Sequence, residues 1–115
     1  MCAGGGVGVA PMLPIIRALK AAGNRVLSVI AGRNKDLIIL ENEVRASSDE
    51  LIIMTDDGSY GEKGVVTVGI ETFIKQEHVD KVFAIGPPVM MKFCCMLTQK
   101  YNIPTDVSLN TIMVD

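Results

Sequence analysis

Three short clusters carry the residue types from which binding chemistry is built. The first is Ala3-Gly4-Gly5-Gly6-Val7-Gly8-Val9-Ala10-Pro11, where four of the five positions from 4 to 8 are glycine and a helix start follows directly. With almost no Cβ atoms in the way, a bulky anion approaches main-chain N–H groups closely, and the positive end of the helix dipole adds to the attraction. Pro11 stands in the first helical turn, where its missing donor costs little. This is a pattern for a phosphate. The second cluster is the polar turn Thr55-Asp56-Asp57-Gly58-Ser59-Tyr60-Gly61. Carboxylates accept hydrogen bonds from a ribose diol and repel a phosphate in its place, although Asp-Asp-Gly-Ser is also ordinary turn chemistry. The third is Gly86-Pro87-Pro88-Val89-Met90-Met91, which combines an open backbone with an apolar wall at a helix start.

A fourth turn, Gly32-Arg33-Asn34, adds a cation that suits either a nucleotide or solvent. No Ser/His/Asp or paired-carboxylate arrangement stands out, so no side chain is given a catalytic role. His78, in Gln76-Glu77-His78, is expected to be exposed. The cysteines are Cys2, Cys94 and Cys95, too few for a four-ligand cluster and without a C-x-x-C spacing. They read as small buried hydrophobes, and no metal site is expected.

The elements that position these clusters follow from periodicity. Met12 to Ala22 reads as a helix ended by Gly23-Asn24. The run Arg25 to Ala31 is β-branched and reads as a buried strand. Asn34 caps a helix whose apolar positions Leu37, Ile38, Leu40 and Val44 run to Ser47-Ser48. Leu51 to Met54 is a strand, a helix with Ile70, Phe73 and Ile74 on one face starts after Thr67, and Lys81 to Ile85 is the next strand. Pro88 opens a helix from Val89 to Tyr101, on which Met90, Phe93, Leu97 and Tyr101 fit a core stripe. Asp106 to Val114 closes with a strand. Only Met1-Cys2-Ala3 precede the glycines, where a buried strand is expected, so the chain is expected to be a piece of a longer polypeptide.

Continuous apolar strands alternating with helices imply a parallel sheet covered on both faces. Right-handed crossovers make this an α/β, doubly wound, three-layer αβα domain, with five strands in the order 3-2-1-4-5. Ligands of such sheets bind at the C-terminal strand edge, where all four turns fall. The glycine run does not complete the G-x-G-x-x-G fingerprint, because Val9 or Pro11 stands at its last position, and no acidic residue ends the second strand. A phosphate-loop lysine is missing too, which removes a kinase-like reading.

With 115 residues the chain makes one domain, and 49% hydrophobic against 21% charged residues gives it a sizeable core. A net charge of −2 argues against nucleic acid as the main partner. No apolar run approaches the roughly 20 residues that span a bilayer, and no secretory leader is seen, so no membrane association and a cytoplasmic location are expected.

The ordered motifs Gly4-Gly5-Gly6-Val7-Gly8-Val9-Ala10-Pro11 and Gly86-Pro87-Pro88-Val89-Met90-Met91 resemble the nicotinamide-nucleotide domain of the ferredoxin–NADP reductase family, a Rossmann-like domain. Thr55 to Gly61 with Lys63-Gly64 looks like a narrower branch. That branch contains the electron-transfer subunits of dihydroorotate dehydrogenase, sulfide dehydrogenase, NADH-dependent ferredoxin:NADP oxidoreductase and some cytoplasmic hydrogenases. The resemblance covers residues 1–115. It implies a domain that positions the nicotinamide of NAD(P)H for hydride exchange with FAD, in electron transfer to ferredoxin or a partner subunit. It also implies a flavin barrel before Met1, a [2Fe–2S] segment after Asp115 and a larger redox subunit as partner. On this reading the isolated chain binds dinucleotide without turnover. The other class is a non-catalytic dinucleotide-sensing or subunit-docking module.

The residues implied to bind the cofactor are Gly4, Gly5, Gly6, Val7, Gly8, Ala10 and Pro11 at the diphosphate. Gly32, Arg33, Asn34, Asp56, Asp57 and Gly58 fall at the adenosine end. Gly86, Pro87, Pro88 and Met90 fall at the nicotinamide. Asp56 and Asp57 favour NAD(H) over NADP(H), against which Arg33 is the opposing charge. Ile85 stands where family members usually carry a cysteine, which removes a thiol contact that hydride transfer does not need.

Overall fold

The apolar runs become strands and the periodic stretches become helices. In the computed structural model, which describes residues 1–108, β1 spans Cys2–Gly5, α1 Val9–Ala21 and β2 Leu27–Gly32. Next come α2 Glu41–Ser47, β3 Glu50–Thr55, β4 Glu62–Lys63, α3 Val66–Gln76, β5 Val82–Ile85, α4 Pro88–Lys100 and β6 Thr105–Ser108. The sheet has six strands in the order β4-β3-β2-β1-β5-β6, and every neighbouring pair is parallel.

Two apolar layers sandwich it. On α1 the buried residues are Val9, Met12, Leu13 and Ile16, and on α3 they are Val66, Gly69, Ile70 and Phe73. Both sets follow i, i+3, i+4, i+7, so each helix turns one stripe to the sheet. Strand alternation sends Cys2, Val26, Ile30 and Ile85 to the layer with α1 and Val44 of α2. Ala3, Leu27, Val29, Val82 and Ala84 join α3 and Cys94 of α4 on the other face. Burying a side chain such as Met12, Ile16 or Phe73, all 1% exposed or less, stabilises the fold by about 1.5–3 kcal/mol each. Gly23, at φ +90, ends α1 with its N–H on the Lys20 carbonyl, and the Asn24 N–H reaches that of Leu19.

The three-layer, doubly wound expectation holds, with differences that have local causes. The extra strand, β4, adds an edge beyond β3 through the pairs Met54↔Glu62 and Thr55↔Lys63. Its two residues are exposed and lie inside the polar turn, so no apolar pattern marks them. The remaining strands keep the expected order. Gly4 and Gly5 belong to β1, paired with Ile30 and Ala31, rather than to a loop. The helix expected from Asn34 to Ser48 is broken. Asn34 accepts the Asp36 N–H at 3.0 Å and caps only a 3-10 turn, Lys35–Leu37. Leu40 then adopts φ +56, a left-handed conformation that interrupts helical hydrogen bonding before α2. On α4 the buried stripe is Met91, Cys94 and Thr98. Phe93 is 53% exposed, and Met90 and Leu97 only flank the core, so the stripe lies one residue away from the expected one. The part of the last strand expected beyond residue 108 lies outside the described residues.

Candidate functional site

Parallel pairing of β1 with both β2 and β5 makes the C-terminal ends of β1 and β5 the place where the winding of the chain reverses, so the loops leaving them diverge and leave a crevice. A cleft of about 650 Å³ occupies it, a size typical of small-ligand sites.

Its floor is the glycine turn. Gly6, at φ +57, takes the chain out of β1 into a 3-10 turn, Gly6–Gly8, that runs straight into α1. A Cβ on Gly8 would lie 2.4 Å from the Ile85 carbonyl oxygen, so only a hydrogen lets the start of α1 pack against the end of β5. A second wall comes from α3, through Val65, Val66 and Thr67, and a third from Pro87, Val89, Met90 and Phe93 at the start of α4. The Met90 thioether lies over the strand ends, where a Cβ on Gly5 would come within 2.5 Å of its sulfur and one on Gly86 within 2.8 Å.

The helix ends share one property. None of α1, α3 and α4 has a side-chain N-cap, and none has an acidic residue in its first turn. Helices ordinarily satisfy their first N–H groups with Ser, Thr, Asp or Asn. The helix α2 also lacks a side-chain N-cap, but it lines no part of the cleft and carries Glu41 and Glu43 in its first turn. Three positive dipole ends without a side-chain cap or an acidic first turn thus meet at one crevice, which suits an anion.

The far end of the cleft is built by the loops after β2 and β3, with Ala31, Gly32, Arg33, Asp36, Ile39 and Asp56 in its lining. Main-chain bonds tie the two loops: the Asp56 N–H donates to the Gly32 carbonyl at 3.1 Å and the Asp57 N–H to that of Arg33 at 3.2 Å. Among the described residues, Arg33, Asp36 and Asp56 form no ion pair, so one cation and two carboxylates face the ligand space. Asp57 does not face it. Its carboxylate accepts the Ser59 N–H at 2.9 Å, and hydrogen bonds from the Ser59 hydroxyl and amide hold it below the usual aspartate range. The turn reading of this residue is the one its geometry supports.

Of the residues singled out in the sequence, Gly5, Gly6, Gly32, Arg33, Asp56, Pro87 and Met90 line the cleft. Gly4 packs from behind on Met12, and Gly8 and Gly86 close the gap between β1, β5 and α4. Val7 is in the 3-10 turn, Ala10 and Pro11 are exposed on the first turn of α1, Pro88 opens α4, and Asn34 and Gly58 shape turns. Sequence reasoning missed Asp36, Ile39, Val65, Val66, Thr67, Val89 and the lining role of Phe93. A signal for α3 was present: Gly64, like Gly86, is a glycine just before an apolar helix start.

The cysteines are free, and burial pushes the Cys2 thiol up to about 11 and that of Cys94 to about 12, so neither is a ready thiolate. Among the described residues, no group of three His, Cys, Asp or Glu is placed to hold a metal ion, and no helix is long and apolar enough to cross a membrane. His78 is exposed, 2.8 Å from Asp80.

Comparison with known proteins gives the family. Residues 2–96 match the family model described as the oxidoreductase NAD-binding domain. The chain is 46% identical over 112 residues to a dihydroorotate dehydrogenase B (NAD(+)) electron transfer subunit homolog of Thermotoga maritima, covering 97% of this chain and 39% of that protein. A probable electron transfer subunit of the same kind from Methanopyrus kandleri is 35% identical over 105 residues, covering 91% of this chain and 40% of that protein. The chain therefore spans about two fifths of the length of these relatives. Among solved structures, one described as an NADH-dependent reduced ferredoxin-NADP oxidoreductase superposes with a TM-score of 0.85 at 41% identity, over 95% of this chain and 39% of that one. The C-terminal domain of a Pyrococcus furiosus hydrogenase shares the fold, with a TM-score of 0.74 at 19% identity, over 94% of this chain and 88% of that one. A cleft floored by bare helix ends and a model match over most of the chain lead to one conclusion: the chain belongs to the oxidoreductase NAD-binding domain family.

Proposed function

We propose that the chain is the nicotinamide-nucleotide-binding part of a longer flavin- and iron–sulfur-dependent oxidoreductase, and that it binds NADH in preference to NADPH along the C-terminal strand edge. The convergence of three uncapped, acid-free helix starts on one cleft carries this reading. Main-chain N–H groups of the Gly6–Gly8 turn and the start of α1 bind the diphosphate. Asp36 and Asp56 accept hydrogen bonds from the adenosine ribose hydroxyls and repel a 2′-phosphate, with Arg33 moderating the repulsion. Gly86 and Pro87 let the nicotinamide ribose approach the end of β5, and Met90, Val89 and Phe93 provide an apolar, water-excluding wall beside the ring. When bound, the dinucleotide supplies a hydride for a flavin held by another part of the longer protein.

The described residues suit only the dinucleotide. They do not fit an iron–sulfur cluster, since among the described residues no three of His, Cys, Asp and Glu are grouped to hold a metal, and Cys94 has only Cys95 beside it. FAD, the [2Fe–2S] centre and a larger redox subunit or ferredoxin as electron partner therefore belong, on this reading, to the rest of the assembly. The chain's own contribution is position and electrostatics, without turnover. Isothermal titration of the chain with NADH and NADPH tests the proposal. NADH is expected to bind at least about tenfold more tightly, a difference of about 1.4 kcal/mol, and to protect the chain against thermal unfolding. Equal affinity for the two removes the coenzyme preference, and no binding of either removes the function.

A further inference from the structure

We propose that Tyr60 is a positioning residue for the adenosine half of the dinucleotide, locking the turn after β3 onto the loop after β2 through Glu41. The inference rests on the cleft reading above. Neither Tyr60 nor Glu41 lines the cleft, so the effect on a ligand is indirect. The Tyr60 hydroxyl donates to the Glu41 carboxylate and sits 2.7 Å from both of its oxygens. Arg45 donates to the same carboxylate at 2.9 Å from one helical turn on, which fixes the acceptor. At its own base Tyr60 is held by the fully buried Thr55, whose hydroxyl donates to the Tyr60 carbonyl at 2.6 Å and accepts the Tyr60 N–H at 3.3 Å. A second tie runs alongside, with the Lys35 N–H donating to the Ser59 hydroxyl at 2.9 Å and the Lys35 ammonium 5.6 Å from the Tyr60 ring centre.

The segment so clasped is under strain. Leu40 directly precedes Glu41 and is held at φ +56, a left-handed backbone that a leucine avoids. Such a conformation persists only where its surroundings over-determine it, and the Tyr60–Glu41–Arg45 cluster is the polar part of those surroundings. On the cleft side, this loop carries Arg33, Asp36 and Ile39, while the turn of Tyr60 carries Asp56. With the clasp closed, all four face the ligand space before a ligand arrives. Without it, binding must order two polar loops, and affinity falls by that ordering cost.

The test is Tyr60→Phe in the 115-residue chain, titrated with NADH, ADP-ribose and reduced nicotinamide mononucleotide. The affinity for NADH and for ADP-ribose is expected to fall by a common factor, about fivefold to tenfold, while that for the mononucleotide stays put. A general loss of structure would weaken all three. Glu41→Gln keeps an acceptor for the tyrosine hydroxyl and is expected to bind like wild type, whereas Glu41→Ala reproduces the loss. That pair decides the matter even if Tyr60→Phe does not fold. Unchanged ADP-ribose binding in Tyr60→Phe or Glu41→Ala overturns the proposal, as does an equal loss of mononucleotide affinity. If wild type binds NADH and the variants do not differ from it, only the clasp falls. If wild type binds no NADH, the cleft reading falls and the clasp with it.

Discussion

Replacing Gly8 by alanine sets two effects of opposite sign against each other, and the structure decides which wins. Gly8 has φ −68 and ψ −14, ordinary right-handed values that alanine adopts freely. On backbone grounds alone the substitution stabilises by about 0.4–1 kcal/mol, because the unfolded chain loses freedom. The added methyl, however, would lie 2.4 Å from the Ile85 carbonyl oxygen, 2.8 Å from its carbon and 3.0 Å from the Gly86 nitrogen. Ordinary contact begins at 3.4 Å, so the start of α1 must withdraw from the end of β5 by about 1 Å, with backbone on both sides of the clash. Overpacking of this kind costs about 1–3 kcal/mol, which exceeds the entropic gain. A loss of about 4 °C in Tm per kcal/mol is expected for a chain of this size. The same withdrawal stretches N–H···phosphate bonds from about 2.9 Å to nearly 3.9 Å, beyond hydrogen-bonding range. One charge-assisted bond lost is worth about 1.5–3 kcal/mol, which weakens NADH binding by roughly 10- to 150-fold. Scanning calorimetry reads the first effect and isothermal titration the second. A Gly8→Ala chain with raised Tm and unchanged NADH affinity would refute the packing argument and the assignment of this turn to the diphosphate.

Three further outcomes follow from other parts of the molecule. Asp36→Ser and Asp56→Ser should each raise NADPH affinity about tenfold, the scale of one charge near a phosphate in water-like surroundings, while Asp57→Ala should leave the NADH:NADPH ratio alone. Glu41, Asp49, Asp57 and Glu77 are held below their ordinary range, chiefly by hydrogen bonds from Tyr60, Lys20, Ser59 and Arg25 respectively. Since the folded state binds these protons less readily than the unfolded chain, the stability they contribute is present above the ordinary values of 4.5 and 3.8 and is lost as pH falls through the folded values. Urea midpoints should therefore drop between about pH 5 and about pH 3, and a midpoint that rises on acidification contradicts the linkage. Phe73→Ala should cost about 3–5 kcal/mol in urea unfolding, whereas Phe93→Ala should stay within about 0.5 kcal/mol and weaken NADH binding instead.

What could be read in the sequence was whatever periodicity and glycine spacing encode. The i, i+3, i+4, i+7 sets of α1 and α3 fix helices and their buried faces, and a strand such as β3 announces itself by the unbroken apolar run Leu51 to Met54. Gly5, Gly6, Pro87 and Asp56 were legible as cleft residues for the same reason: each sits where a strand stops. What stayed hidden depends on tertiary contact. The two-residue β4 exists only because β3 offers it an edge, and the left-handed Leu40 that breaks the helix carries no glycine or asparagine to announce it. Asp36 looks like a helix-start acid until that break turns its segment toward the crevice. Met90, Phe93 and Leu97 repeat with the same spacing as the true core positions Met91, Cys94 and Thr98 one residue on, and spacing alone does not say which of the two faces meets the sheet.

The most direct test of the account labels the chain with 15N-glycine and follows its amide signals through an NADH titration. Gly6 and Gly8, at the start of α1, are expected to shift most, with Gly32 and Gly86 at the two wings of the cleft following. Gly23 ends the same helix at its far end and should stay in place. If saturating NADH moves Gly23 or leaves Gly6 and Gly8 where they were, the diphosphate does not rest on the bare amides of this turn.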